Sequence, residues 1–145
     1  LINQANLPVD GMRSGSHTAV VPIDGVIAPS ELANAFDIQQ NLAAAFEAPG
    51  SKGVMLEINS PGGSPVQSEY VYRAILDLKA QYPSKPVHAV IGDIGASGAY
   101  YIAAAADTIF VVSSSSTIRL EDVTETPNGK WWFQLSTQSD RAFVR

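Results

Sequence analysis

The chain contains no cysteine. That absence excludes a disulfide framework, a thiolate nucleophile and a cysteine-bound metal, and it leaves the redox compartment open. Histidine is almost as scarce. His17 and His88 stand far apart in the sequence, so a zinc site has no ligand cluster to build on and no metal is expected. No run of about 18 apolar residues occurs, so no segment reads as a membrane-spanning helix. Basic residues are few: nine against fourteen acidic ones, for a net charge of −5. Such a surface argues against nucleic acid as a partner. The first residue is Leu1 rather than methionine. This reads as a processed form or a piece of a longer chain, with a targeting segment upstream left open.

What is present is a globular composition, 46% apolar and 16% charged over 145 residues, enough for the core of one domain. Residues 1–16 are polar and turn-rich and read as a lead-in. HTAVVPIDGVI (17–27) reads as a buried strand, with Pro22 and Asp24-Gly25 marking irregularity. Residues 30–48 carry a helical pattern in which Leu32, Phe36, Gln39, Gln40, Ala43 and Phe46 fall near one stripe, with Ser30 as N-cap and Pro49-Gly50 as the stop.

GVMLEIN (53–59) has strand length, and a helix from about Val66 to Gln81 follows with Tyr70, Ile75 and Leu78 on its buried side. PVHAVIGDI (86–94) reads as a third strand, 97–106 as an alanine-rich helix and TIFVV (108–112) as a fourth strand. Alternating strands and helices are the pattern of βαβ units and a mostly parallel sheet. In such sheets the sites lie at the carboxyl ends of the strands. The last residues, 113–145, lose the apolar helical pattern. There Pro127-Asn128-Gly129, between two polar, strand-like stretches, reads as a β-hairpin turn.

Two glycine-bearing turns occupy strand ends. In SPGGS (60–64) the paired Gly62 and Gly63 permit positive φ and close approach of a ligand, with their N–H groups turned outward; a tight strand-to-helix turn would use the same residues. The Walker spacing and its lysine are missing, which excludes a phosphate loop. In GDIGASGAYYIAAAAD (92–107), Ser97 follows a strand, stands between Gly95 and Gly98, and opens a helix. The free N–H groups of a helix start stabilise an alkoxide or oxyanion. The context is that of a nucleophile elbow, although Ala99 stands where its second glycine belongs; the plainer role for Ser97 is an N-cap. Together the two turns offer a nucleophile and oxyanion donors, as acyl transfer requires.

INSPGGS (58–64) followed by GDIGASGAYYIAAAAD (92–107), with AVVPIDGVI (19–27) as opening strand, resembles the signal peptide peptidase A family of serine proteases over residues 17–112. The resemblance implies a ClpP/crotonase-like α/β fold. Residues 17–112 would be a partial peptidase core, between the 1–16 lead-in and an atypical 113–145 tail. It implies Ser97 as nucleophile, with the backbone N–H groups of Gly98 and of Gly63 or Gly62 as oxyanion donors. It also implies a lysine base, endoproteolysis of signal peptides or other membrane-derived peptides, a ring-forming homo-oligomer, and no cofactor. The implied location is the extracytoplasmic side of a bacterial cytoplasmic membrane, reached through an anchor outside this chain.

A free lysine is protonated at neutral pH, so a lysine base must be buried to lose its proton. The four lysines are Lys52, Lys79, Lys85 and Lys130. The first three read as solvated surface charges. Lys130 lies downstream of Ser97 but beside the Asn-Gly turn, where lysines are usually exposed; it is a weak candidate, and the base is not identified in this chain. His88, on a strand with Val90 and Gly92 on its side of the pleat, reads as a satisfied structural histidine, and Asp93 as a turn cap. Trp131, Trp132 and Phe133 face both ways on a strand and suit a subunit contact, a substrate wall or ordinary packing. Two other readings fit the same residues. One is a truncated or non-catalytic peptide-binding homologue. The other is a crotonase-like acyl-CoA enzyme, which has no need of Ser97.

Overall fold

The computed structural model describes residues 15–111 and the backbone of residues 116 and 117. The expected hairpin, Lys130 and the Trp131–Phe133 aromatics lie outside the described residues. The element order is β1 (His17–Asp24), α1 (Ala35–Glu47), β2 (Ser51–Ser60), α2 (Pro65–Gln81), β3 (Val87–Gly95), α3 (Gly98–Ala103), β4 (Thr108–Val111) and β5 (Ser116–Thr117). Every strand pair is parallel, in the order β1-β2-β3-β4, with β5 pairing the far end of β3 at Ile94 and Gly95. Neighbouring parallel strands in chain order, joined by right-handed crossovers, carry their helices on one face. Accordingly α1 packs on β1, β2 and α2, and α3 packs on α2, β2 and β3.

The core lies between sheet and helices. Val21, Ile23, Leu56, Ile58, Ala89 and Ile91 point into it from the strands, and Ile38, Leu42, Phe46, Val71, Ile75 and Ile102 meet them from the helices; all are essentially inaccessible. The opposite sheet face carries the other residues of the pleat, among them Val20, Pro22, Glu57 and Phe110, all exposed. Pro22 does not interrupt β1, which runs through it in register with Glu57. β1 is an edge strand, where a missing N–H costs no ladder bond.

The helix faces depart from the sequence expectation. α1 starts at Ala35, not near Ser30. Its N-cap is Asn34, whose side-chain oxygen accepts from the Asp37 N–H at 2.9 Å. Its buried stripe is Ala35, Ile38, Leu42, Ala45 and Phe46, while Leu32 is 92% exposed and Phe36 68%. Of the expected stripe only Phe46 is in the core. On α2 the buried residues are Ser68, Val71 and Ile75; Leu78 is half-buried and Tyr70 is exposed. α3 is shorter than expected, six residues instead of ten, because residues 104–107 turn towards β4.

The Lys79 and Lys85 side chains are not free surface charges. Lys79 Nζ pairs with Asp107 at 2.7 Å and donates to the Ala105 carbonyl at 2.9 Å. Asp107 in turn accepts from the Val87 N–H at 2.8 Å, so one carboxylate ties α2 to the start of β3 and the entry to β4. Burial opposes its charge and is the largest single influence; the Lys79 and Val87 hydrogen bonds together outweigh it and hold the Asp107 carboxyl below its ordinary range. Lys85 donates to the Phe46 carbonyl and lies over the Tyr82 ring, fastening the turn before β3 to α1.

Candidate active site

β2 and β3 deliver their carboxyl ends side by side. The register shifts between Ile58 and Ser60, which brings Ser60 opposite Gly95. Beyond Ser60 the chain turns through Pro61, Gly62 and Gly63 into α2. There Ser64 caps, its hydroxyl accepting from the Gln67 N–H at 3.4 Å, and Pro65 supplies a preset first-turn φ. Beyond Gly95 the chain turns through Ala96 and Ser97 into α3.

The two turns are in van der Waals contact, and glycine is what permits it. A β-carbon on Gly62, where φ is +94°, would stand 2.7 Å from the Ala96 carbonyl oxygen and 2.8 Å from both the Gly98 nitrogen and the Ser97 β-carbon. A β-carbon on Gly63 would overlap the Ile27 backbone, and one on Gly98 would overlap Ser68 Oγ. The structure therefore brings Gly62, Gly63, Ser97 and Gly98 together, although the two pairs lie far apart in the sequence.

Ser97 is the one residue other than glycine with positive φ among the described residues, at φ 53° and ψ −124°. This conformation costs a side-chain-bearing residue roughly 1–3 kcal/mol, and such strain concentrates at functional sites. The plainer N-cap role is not what the structure shows: the Ser97 side chain makes no capping hydrogen bond, and the residue is exposed. A six-residue helix has little macrodipole to offer an anion. Any anion stabilisation here falls to individual N–H groups.

The hydrogen bonds of the first turn separate its two glycines. The Gly62 N–H donates to Ser60 Oγ at 3.1 Å, and the Gly62 carbonyl accepts from the Ile27 N–H at 2.9 Å. The Ser64 N–H donates to the Ile27 carbonyl at 2.7 Å. These bonds pass through Gly62 and Ser64 and leave out the Gly63 N–H. In the second turn the bonds run from Ala99 N–H to the Ala96 carbonyl and from Tyr101 N–H to the Ser97 carbonyl, and leave out the Gly98 N–H. A β-carbon on Gly98 would lie 3.6 Å from the Gly63 nitrogen, so the two free donors are neighbours.

The residues weighed as bases lie elsewhere. Lys79 and Lys85 are engaged as described, and Lys52 is exposed near the amino end of β2. His17 Nδ1 stands 3.1 Å from the Gly15 carbonyl oxygen. His88 sits on β3 beside Phe110, ring centroids 6.1 Å apart; its Nδ1 is buried without a hydrogen-bond partner, so it is not the satisfied histidine expected. Asp93 is exposed inside β3, not capping the turn. Among the described residues no group of three or more His, Cys, Asp or Glu is arranged to hold a metal ion.

One cluster beside α3 was not read from the sequence. Tyr101 donates its hydroxyl to Glu69, and Arg73 Nε donates to the same carboxylate at 2.7 Å. The Tyr101 and Arg73 hydrogen bonds hold the Glu69 carboxyl below its ordinary range, and the Glu69 bond pushes the Tyr101 phenol up. Tyr72 stacks on Tyr101 with ring centroids 4.6 Å apart. The i,i+4 spacing of Glu69 and Arg73 was legible as a helical pair; the third partner, on another helix, was not.

A family signature lies across the second turn. Residues 79–120 match the model of Peptidase family S49. The chain is 32% identical over 103 residues to a putative signal peptide peptidase SppA of Enterococcus faecium, a match covering 66% of this chain and 29% of that protein. A stretch of 74 residues is 46% identical to part of a protein named Na(+)/H(+) antiporter NhaA in Brucella melitensis, covering 51% of this chain and 10% of that protein. The chain thus spans a tenth to under a third of the length of these curated relatives. Among solved structures, the membrane-bound stomatin-specific protease 1510-N aligns with a TM-score of 0.59 at 18% identity, over 83% of this chain and 56% of that one. That likeness shows the fold, and the ClpP-type α/β architecture expected for the chain stands.

Proposed function

We propose that this chain carries the nucleophile and oxyanion donors of a serine endopeptidase that cleaves signal peptides or other membrane-derived peptides. The observation that carries the reading is the strained, uncapped Ser97 set against the two free N–H groups of Gly63 and Gly98. Ser97 Oγ attacks the substrate carbonyl carbon. The carbonyl oxygen takes up the negative charge and accepts from the Gly63 and Gly98 N–H groups, and the bond to the leaving amine breaks. Gly62 is not a donor in this scheme, because its N–H already serves Ser60. The Ser97 proton passes to a lysine outside the described residues, such as Lys130, or to one from a neighbouring subunit of a homo-oligomer; that lysine hands it to the leaving amine, and water then releases the acyl group from Ser97.

The match to the S49 model and the likeness to a signal peptide peptidase favour this reading over the acyl-CoA and non-catalytic ones. No described helix is long and apolar enough to cross a membrane. A location at the outer side of a bacterial cytoplasmic membrane rests on the resemblance to signal peptide peptidase A and on the name of the membrane-bound fold neighbour. The reading is tested by incubating the purified chain with signal-sequence peptides and following cleavage by mass spectrometry. Cleavage that disappears in Ser97→Ala supports it, and cleavage that persists there overturns it.

A further inference from the structure

Ser60 is inaccessible to solvent, one of three buried polar residues among those described, and among them it is the only residue that bonds to both turns of the site. Its carbonyl accepts from the Ala96 N–H at 3.1 Å and so holds the turn that carries Ser97. Its hydroxyl accepts from the Gly62 N–H at 3.1 Å and so holds the turn that carries Gly63. A hydroxyl bonding the backbone two residues on is a local turn former. Here it does something further. By occupying the Gly62 N–H, it holds the Pro61–Gly62 peptide. The Gly62 carbonyl, held by the Ile27 N–H at 2.9 Å, holds the Gly62–Gly63 peptide that carries the remaining N–H. Gly62 is thus pinned at both ends, and its φ and ψ, which set the direction of the Gly63 N–H, are fixed by the two bonds together.

We propose that Ser60 is a positioning residue for the oxyanion site: its hydroxyl aims the Gly63 N–H at the point where the Gly98 N–H also converges. The proposal rests on the peptidase reading above and adds a residue to it. Ser60 does not touch the substrate. An oxyanion donor is effective only when its N–H is already aimed at the developing charge, so removing one of the two bonds that pin Gly62 loosens the aim of the Gly63 N–H without removing any donor. The expected loss in Ser60→Ala is thus about ten- to a hundredfold in the chemical step, below the loss from deleting a donor outright. Binding of the substrate's ground state is left nearly unchanged.

The test has two parts. The first needs no variant: amide hydrogen exchange in the wild-type chain. The Gly62 N–H is expected to be protected and the Gly63 N–H to exchange much faster. Equal exchange at the two would overturn the proposal. The second is the rate at which a fluorophosphonate labels Ser97, where the serine oxygen bonds to phosphorus, fluoride leaves, and the phosphonyl oxygen occupies the oxyanion position. The maximal labelling rate is expected to fall at least tenfold in Ser60→Ala, with the half-saturating reagent concentration within about twofold of wild type and recovery in Ser60→Thr, which keeps the hydroxyl. Wild-type labelling matched by Ser60→Ala would overturn the proposal and leave the peptidase reading standing. A wild-type chain that does not label at Ser97 would overturn that reading, and the proposal with it.

Discussion

Gly62 lies so close against Ser97 that a β-carbon on the glycine would stand 2.8 Å from the serine's own. Two turns distant in the sequence are thereby locked into one surface, and every consequence for chemistry depends on that approach. The positive φ at Gly62 makes a side chain doubly unwelcome there. Gly62→Ala is expected to destabilise the chain by about 2–4 kcal/mol, read from urea unfolding, because both the clash and the backbone strain must be absorbed. A loss under about 0.5 kcal/mol, the ordinary range for a surface change, would mean that the turns separate easily.

The same contact appears from the other side at Gly98, where a β-carbon would overlap Ser68 Oγ and lie 3.2 Å from Ser68 Cβ. Gly98→Ala is expected to cost about 2 kcal/mol, and less when Ser68→Ala is present, since the worst clash is with the hydroxyl. Additive losses in the double variant would show that the two residues do not meet.

Ser97 holds a strained backbone that glycine would adopt freely. Ser97→Gly is therefore expected to raise stability by up to about 1–2 kcal/mol while abolishing any hydrolysis, a trade characteristic of functional positions. Denaturant midpoints for Ser97→Gly and Ser97→Ala separate strain relief from loss of the hydroxyl: only the glycine variant should gain.

Asp107 offers a pH test. Its folded carboxyl titrates below its ordinary value of 3.8. A depressed value contributes stability that is present above the unfolded value and is lost as pH falls through the folded one. Wild type is expected to exceed Asp107→Asn by about 1 kcal/mol at pH 7, with the difference shrinking as pH drops below about 4. A difference that does not change between about pH 7 and about pH 2 would contradict the Lys79–Asp107–Val87 arrangement.

The α1 start gives a contrast between two residues. Asn34→Ala should cost about 1 kcal/mol and Ser30→Ala nothing measurable, because only Asn34 accepts from a first-turn N–H. Equal losses would restore the longer helix.

That contrast also shows what was legible in the sequence. The strands were, within a few residues, because buried parallel strands are short apolar runs and Gly or Pro bounds the first three of them. The SPGG and GASG turns were legible for the same reason, together with their place at strand ends. The helix faces were not. α1 carries two apolar stripes, one through Phe36 and Ala43 and one through Ile38, Leu42 and Ala45, and only packing against β1 and β2 decides between them. Ser30 and Asn34 are both good caps, and local preference alone does not rank them. Lys79 and Lys85 were misread because their acceptors, the Ala105 and Phe46 carbonyls, are neighbours only through topology. The role of Ser60 was hidden because its partners belong to two turns whose meeting no local pattern announces.

The central claim is that Ser97 is an activated nucleophile facing the Gly63 and Gly98 N–H groups. The most direct measurement is intact-mass and peptide-mapping analysis after treating the folded chain with a fluorophosphonate. The account predicts a single adduct, located on Ser97 and lost in Ser97→Ala. A folded chain that takes up no adduct, or takes it up elsewhere, would contradict it.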